Sequence, residues 1–376
     1  MELSFLVLVL FVVNVFACLA IQKSSESERK KLLFTLSIWF MPLIGVLIFL
    51  VFRVHEEKQG VGANLGAFLD DLAPTEIEVY GSRFDLQDNN GSPLFDWDKI
   101  NSWLDSLENS NEAYSLVRKA WLLHLRDTLG DNFRLYETSE VVVLSTQVDS
   151  EINTTVEFLH KSRAKIERVL KGICQFDEAD KSVLILLDDN DSYYQYISQY
   201  ESSEEAISGG MFIRIPIPHF VARNEDLYIL EATLIHELTH SALNHYALPV
   251  WVDEGLAVNT EQRLVSTSRP IYKPEALLRK HREYWSEDRI QDFWSGRSFQ
   301  MNGDSMTLSY ELAQILIQHL SEDWESFKNF VRDASYEDAA DKSAKQHCAV
   351  DLGISVAAFL NKEGKYGPRP SCWPIS

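Results

Sequence analysis

Five residues restrict this chain more than any other stretch: His236-Glu237-Leu238-Thr239-His240. They spell H-E-x-x-H inside a segment whose apolar spacing is helical. Residues four apart on an α-helix share one face, nearly one turn apart, so both imidazoles can reach one metal ion. Glu237 then sits beside that ion, able to handle a proton. The bland alternative is a surface helix with two solvated histidines, and the context argues against it. Asn224 and Asp226 are good N-cap types, and Leu227, Leu230, Leu234 and Leu238 follow at spacings of three and four. A helix turns by about 100° per residue, so Leu234 and Leu238 point about 200° away from His236 and His240. The leucines are core candidates, and the histidines can face a cleft.

Catalytic zinc usually takes three protein ligands plus water, so a third donor is expected. Downstream runs Leu248-Pro249-Val250-Trp251-Val252-Asp253-Glu254-Gly255-Leu256-Ala257. Pro249 suits the first turn of a new helix, where its missing N–H costs nothing. Glu254 falls one turn further on. Two antiparallel helices joined by a short loop at residues 244–248 would bring Glu254 back over the histidine pair. Gly255 has no side chain and allows close helix approach. An ordinary exposed glutamate is the alternative for Glu254.

HELTH followed by PVWVDEGLA resembles the gluzincin zinc metallopeptidases, and most of all the peptidase MA-like domain family. The pattern there is H-E-x-x-H, a short gap, then a tryptophan and E-G-x-A. The match covers residues 236–257, with a looser likeness to about residue 360, and the N-terminal third carries no family motif. The resemblance implies one zinc ion (Zn2+) bound by His236, His240 and Glu254, with Glu237 as catalytic base. It also implies an oxyanion donor on a later helix. Ser309-Tyr310-Glu311-Leu312 makes Tyr310 the candidate, with plain helix packing as its alternative and His245 as a second candidate. In gluzincins the strand before the active-site helix pairs with the peptide, so Gly210, Met211, Phe212, Ile213 and Arg214 form the implied substrate edge. Strand addition holds a peptide by its backbone whatever its side chains; a purely structural strand is the alternative. Carboxylates are expected to orient the histidines from behind, and Asp253 and Glu231 are near in sequence.

The formal net charge of -21 opposes nucleic-acid binding and peripheral contact with anionic lipid. No cysteine pair forms C-x-x-C, so a cysteine zinc site is not expected. Cys348 and Cys372 are a disulfide candidate in an oxidising compartment; reduced and buried is the alternative for each.

Two apolar runs open the chain, at residues 4–21 and 32–52. About twenty apolar residues span a bilayer, so the second run reads as a transmembrane helix. The first also fits a signal peptide, but Met1-Glu2-Leu3 lacks a positive start, which favours an uncleaved transmembrane hairpin over residues 1–58. Lys23, Arg29, Lys30 and Lys31 keep the intervening loop cytoplasmic. The large domain is then expected outside the cytoplasm, on a bacterial inner membrane and periplasmic. A cleaved first run would instead leave it facing the cytoplasm.

The expected fold class is α+β. A membrane-proximal, mostly helical segment of unknown role spans residues 59–135, with a strand at 77–80 and helices at 97–107 and 112–129. A zincin-like domain follows at 136–376: a small mixed sheet, an active-site region at 208–262 and a helical subdomain at 263–376. Strands are expected at 140–145, 182–187 and 208–218, the last an edge because Pro216 and Pro218 cannot donate to a ladder. Helices are expected at 151–171, 192–200, 274–284 and 286–293. Two apolar stripes follow, Leu308 to Leu320 and Trp324 to Val331, and residues 354–360 close the fold. The expected partners are a peptide or protein substrate and the lipid bilayer. A non-catalytic, membrane-anchored scaffold or assembly protein is the rival expectation, and retention of His236, Glu237, His240 and Glu254 favours an enzyme.

Overall fold

Continuous apolar runs such as Val141-Val142-Val143-Leu144 and Val183-Leu184-Ile185-Leu186-Leu187 suit strands covered on both faces, and the sheet built on them is so covered. The computed structural model describes residues 66–87, 93–176, 181–200, 209–265 and 274–373. The expected hairpin over residues 1–58 lies outside them. Among the described residues no helix is long and apolar enough to cross a membrane.

The strands are β1 (Ala67–Phe68), β2 (Glu76–Val79), β3 (Ser82–Asp85), β4 (Arg134–Glu137), β5 (Val141–Ser145), β6 (Ser182–Leu187), β7 (Gly210–Ile213) and β8 (His219–Arg223). Six of them form one mixed sheet in the order β1-β4-β5-β6-β8-β7, and β2 and β3 pair separately. The centre is parallel, β5 with β6 and β6 with β8. The flanking pairs are antiparallel, and β7 ends the sheet with Phe212 opposite Phe220.

The helices are α1 (Trp97–Asp105), α2 (Ser110–Leu129), α3 (Asp149–Val169), α4 (Asn190–Ile197), α5 (Leu227–Leu243), α6 (Val250–Leu264), α7 (Pro274–Tyr284), α8 (Arg289–Trp294), α9 (Asp304–Leu320), α10 (Trp324–Arg332), α11 (Asp341–Cys348) and α12 (Leu352–Leu360). Strand side chains alternate between faces. Val143, Leu184 and Phe220 share a core with α3, α5 and the C-terminal helices. Val142, Ile185 and Val221 share the other with α1, α2 and α4.

Most expected elements are present within a few residues; β1, β3, β4 and α11 are additional to them, and three expectations differ. Segment 208–218 is not one strand: it ends at Ile213, and the chain turns through the two prolines into β8, which the sequence reading did not anticipate. The expected boundary at 135/136 falls inside β4, which pairs with β5, so from Gly66 onward the chain is one unit. Cys348 and Cys372 are unbonded. Cys348 is half-buried at the end of α11 with Sγ 3.9 Å from the Leu320 carbonyl, while Cys372 is exposed on the last turn.

Two packing features set the site. Trp251, at the start of α6, is fully buried beside Phe293, Trp294 and Phe330, and its Nε1 donates to the Ala339 carbonyl at 3.1 Å. Removing an aromatic side chain of roughly 200 Å² from water contributes about 5 kcal/mol of transfer free energy, so Trp251 anchors α6 firmly. Four residues on, Gly255 lets α6 rest on α9. A Cβ there would stand 2.6 Å from Ile317 Cγ1 and 2.8 Å from the Ala313 carbonyl oxygen.

Candidate metal centre

Helix α5 starts after Asp226, as its sequence pattern predicts, and buries Leu230, Leu234 and Leu238. That fixes its rotation and turns His236 and His240 the other way, into a cleft of about 960 Å³. Residues 244–249 turn the chain back, and α6 begins at Val250, one residue after Pro249. Glu254 thereby returns to the histidine pair. His236 Nε2 lies 3.1 Å from Glu254 Oε2, and His240 Nε2 lies 3.4 Å from the same oxygen. The ligand atoms of the three residues all fall within 4.8 Å of one another, a group that could hold a metal ion.

The spacing and the chemistry both fit a small divalent cation. Tetrahedral bonds of about 2.0–2.1 Å place ligand atoms roughly 3.3–3.4 Å apart, close to the two histidine–Glu254 distances of 3.1 and 3.4 Å. Behind the rings, His236 Nδ1 is 3.3 Å from Glu261 Oε2, and His240 Nδ1 is 3.0 Å from Asp253 Oδ2. The Glu261 carboxylate on His236 Nδ1 holds the proton there and leaves that ring's Nε2 lone pair for a metal, while Asp253 meets His240 Nδ1 at ion-pair distance without hydrogen-bond alignment. Asp253, Glu254, Glu261 and Glu237 thus gather around two imidazoles, with Arg214 paired to Asp253, and a bound cation would offset the remaining negative charge.

The electrostatics follow from this crowding. Burial alone would lower the His236 imidazole, but Glu254 and Glu261 outweigh it and hold it up at about 9. Burial opposes charge on His240 too, yet Asp253 and Glu254 keep it well above the usual histidine value. Glu254 would be raised by burial, but His240 and His236 pull it far below the carboxylate range. Glu237 responds in the opposite sense. Burial raises its carboxyl, and the opposing imidazoles and the Phe212 backbone N–H, which donates to it, do not reverse that.

The other expected site residues divide. Tyr310 on α9 lines the cleft, its ring 6.3 Å from that of His236 and braced by Phe299 at 5.3 Å. His245 does not line the cleft and lies against Tyr246 at 4.0 Å. Gly210, Met211, Phe212 and Arg214 line the cleft, whereas Ile213 packs into the core on the far side of the sheet. The edge strand is β7, but the strand immediately before α5 is β8. Of the two carboxylates near in sequence, Asp253 has Oδ2 3.0 Å from His240 Nδ1, and Glu231 does not line the cleft. Glu261 is the residue that sequence reasoning missed. It follows Glu254 by seven positions, two helical turns on the same face, and that spacing was the available signal. No protein-family profile, curated protein or solved structure matches this chain.

Proposed function

We propose that this chain is a zinc-dependent peptidase of the gluzincin type, with a zincin-like fold related to the peptidase MA-like domains. On this reading the N-terminal apolar runs anchor it in a membrane, with the catalytic domain outside the cytoplasm. The observation that carries the reading is the meeting of His236, His240 and Glu254 at ligand spacing, with Glu237 buried beside them in an open cleft.

A zinc ion bound there supplies Lewis-acid polarisation of a carbonyl and lowers the pKa of water. The chain's own residues do the rest. Glu261 and Asp253 keep the two imidazoles turned inward. Glu237 takes a proton from the attacking water and passes it to the departing amide nitrogen. Burial raises its carboxyl above the usual carboxylate value, the sense that helps it return a proton. Tyr310, which lines the cleft with its ring 6.3 Å from that of His236, is the proposed donor to the oxyanion on the scissile carbonyl. An extended peptide laid along β7 adds a strand to the open side of the sheet.

The test is Glu237→Gln in the purified protein. Zinc content measured by elemental analysis should stay near one ion per chain, while kcat on peptide libraries falls at least about 100-fold. An unaltered biological function in the Glu237→Gln strain would instead favour the scaffold alternative.

A further inference from the structure

Arg214 stands at a junction that neither the motif nor the cleft explains. It follows β7 directly and is 40% exposed, while its partner Asp253 is only 11% exposed. One arm of its guanidinium, Nη1, donates to Asn244 Oδ1 at 2.8 Å, and Asn244 caps the end of α5. The other arm, Nη2, donates to Asp253 Oδ2. That same oxygen lies 3.0 Å from His240 Nδ1, an ion-pair contact without hydrogen-bond alignment. The second carboxylate oxygen of Asp253 is buried without a hydrogen-bond partner, so Oδ2 makes both contacts. A planar fork with a fixed spread sets two acceptors at once. Here it spans the sheet edge, the end of α5 and the start of α6.

We infer that Arg214 is a positioning residue for the metal, acting through Asp253 on His240. The guanidinium offsets the charge of a carboxylate that is otherwise pressed among acidic neighbours. It also fixes the direction from which that carboxylate meets the imidazole. His240 then keeps its Nδ1 edge against Asp253 and its Nε2 toward Glu254. Without Arg214, Asp253 is free to swing toward water, and the His240 ring loses the contact that sets its tilt. His236 does not share this arm, because its support comes from Glu261. The inference rests on the metal-site reading and not on peptide hydrolysis.

The experiment is a double-mutant cycle on zinc affinity, measured on metal-free full-length protein by competition with a chromophoric chelator. Loss of a group that orients a metal-bound histidine typically weakens binding about 10–100-fold. Arg214→Gln should fall at the lower end, near 10-fold, and Arg214→Lys, which keeps the charge but not the fork, should lose less. Asp253→Asn should lose at least as much as Arg214→Gln. The double variant should lose no more than Asp253→Asn alone, because both act along one path. Visible bands of the cobalt-loaded protein should shift in Arg214→Gln as the His240 ring reorients. The Arg214→Lys and Asp253→Asn pair completes the same cycle if Arg214→Gln does not fold. Wild-type affinity in the Arg214 variants, or losses that simply add to that of Asp253→Asn, would overturn the inference. A wild-type protein that takes up no zinc would overturn the metal site itself, which is a separable result.

Discussion

Two pairs of histidines leave water in this fold, and they do so in opposite company. His236 and His240 are surrounded by carboxylates and are held above the ordinary value. His219 and His281 are surrounded by rings and backbone. His219 takes a hydrogen bond from the Tyr196 hydroxyl at 2.8 Å, faces the Ile217 carbonyl at 2.7 Å and packs beside Trp121. His281 accepts from Trp285 Nε1 at 3.1 Å beside Phe359, and its Nε2 is buried without a partner. Burial pushes both of these down to about 4. Burial alone therefore does not mark a functional histidine. The mark is a set of carboxylates converging on the rings, which the first pair has and the second pair lacks.

The contrast can be broken hardest with acid. His219 and His281 have folded pKa values near 4 against about 6.5 unfolded, so the unfolded chain binds more protons between those limits. Their contribution to stability is complete above pH 6.5 and is lost as pH falls toward 4. Each is expected to cost up to about 3 kcal/mol over that window. Urea denaturation of the metal-free protein from pH 8 to 4 should show this slope, and His219→Gln and His281→Gln should each flatten it.

Next in size, Glu254→Gln removes the charge on which both imidazoles converge. Zinc affinity should drop more than about 100-fold, beyond the range typical of an orienting group, with the acid slope from His219 and His281 unchanged. Equilibrium zinc competition beside the same denaturation series checks both halves. Gly255→Ala should act through position. Its new Cβ would collide with the backbone of α9, costing about 1–3 kcal/mol of stability and weakening zinc binding because Glu254 moves with α6. Thermal unfolding and chelator competition read the two effects. The smallest expected change is Glu261→Gln, about a 10-fold loss of zinc affinity with little loss of fold, again by competition.

The same contrast shows what the sequence made legible. His236, His240 and Glu254 were readable because helical periodicity converts spacing into direction, and the leucines of α5 fix which face is buried. Residues 274–284 were readable as α7 for the same reason. Strands β4 and β8 were not, since Arg134-Leu135-Tyr136-Glu137 and His219-Phe220-Val221-Ala222-Arg223 are short, mixed in polarity, and held as strands by a neighbour on each side, a local hairpin partner on one and a distant strand on the other. Glu231 and Asp253 are both near the histidines in sequence, and nearness alone does not separate them: only Asp253 lines the cleft. Arg214 showed nothing in sequence of its link to Asp253, because that contact joins segments 39 residues apart.

Strand β7 is four residues long, and among the described residues no strand lies beyond it. A partner joining that border must itself be stretched out, with one side of its backbone unclaimed. Well-folded proteins seldom expose such a run, whereas tails, frayed loops and damaged chains do. On the peptidase reading, the border would sort substrates by conformation before any side chain is inspected, sparing intact neighbours and admitting polypeptide that has come undone.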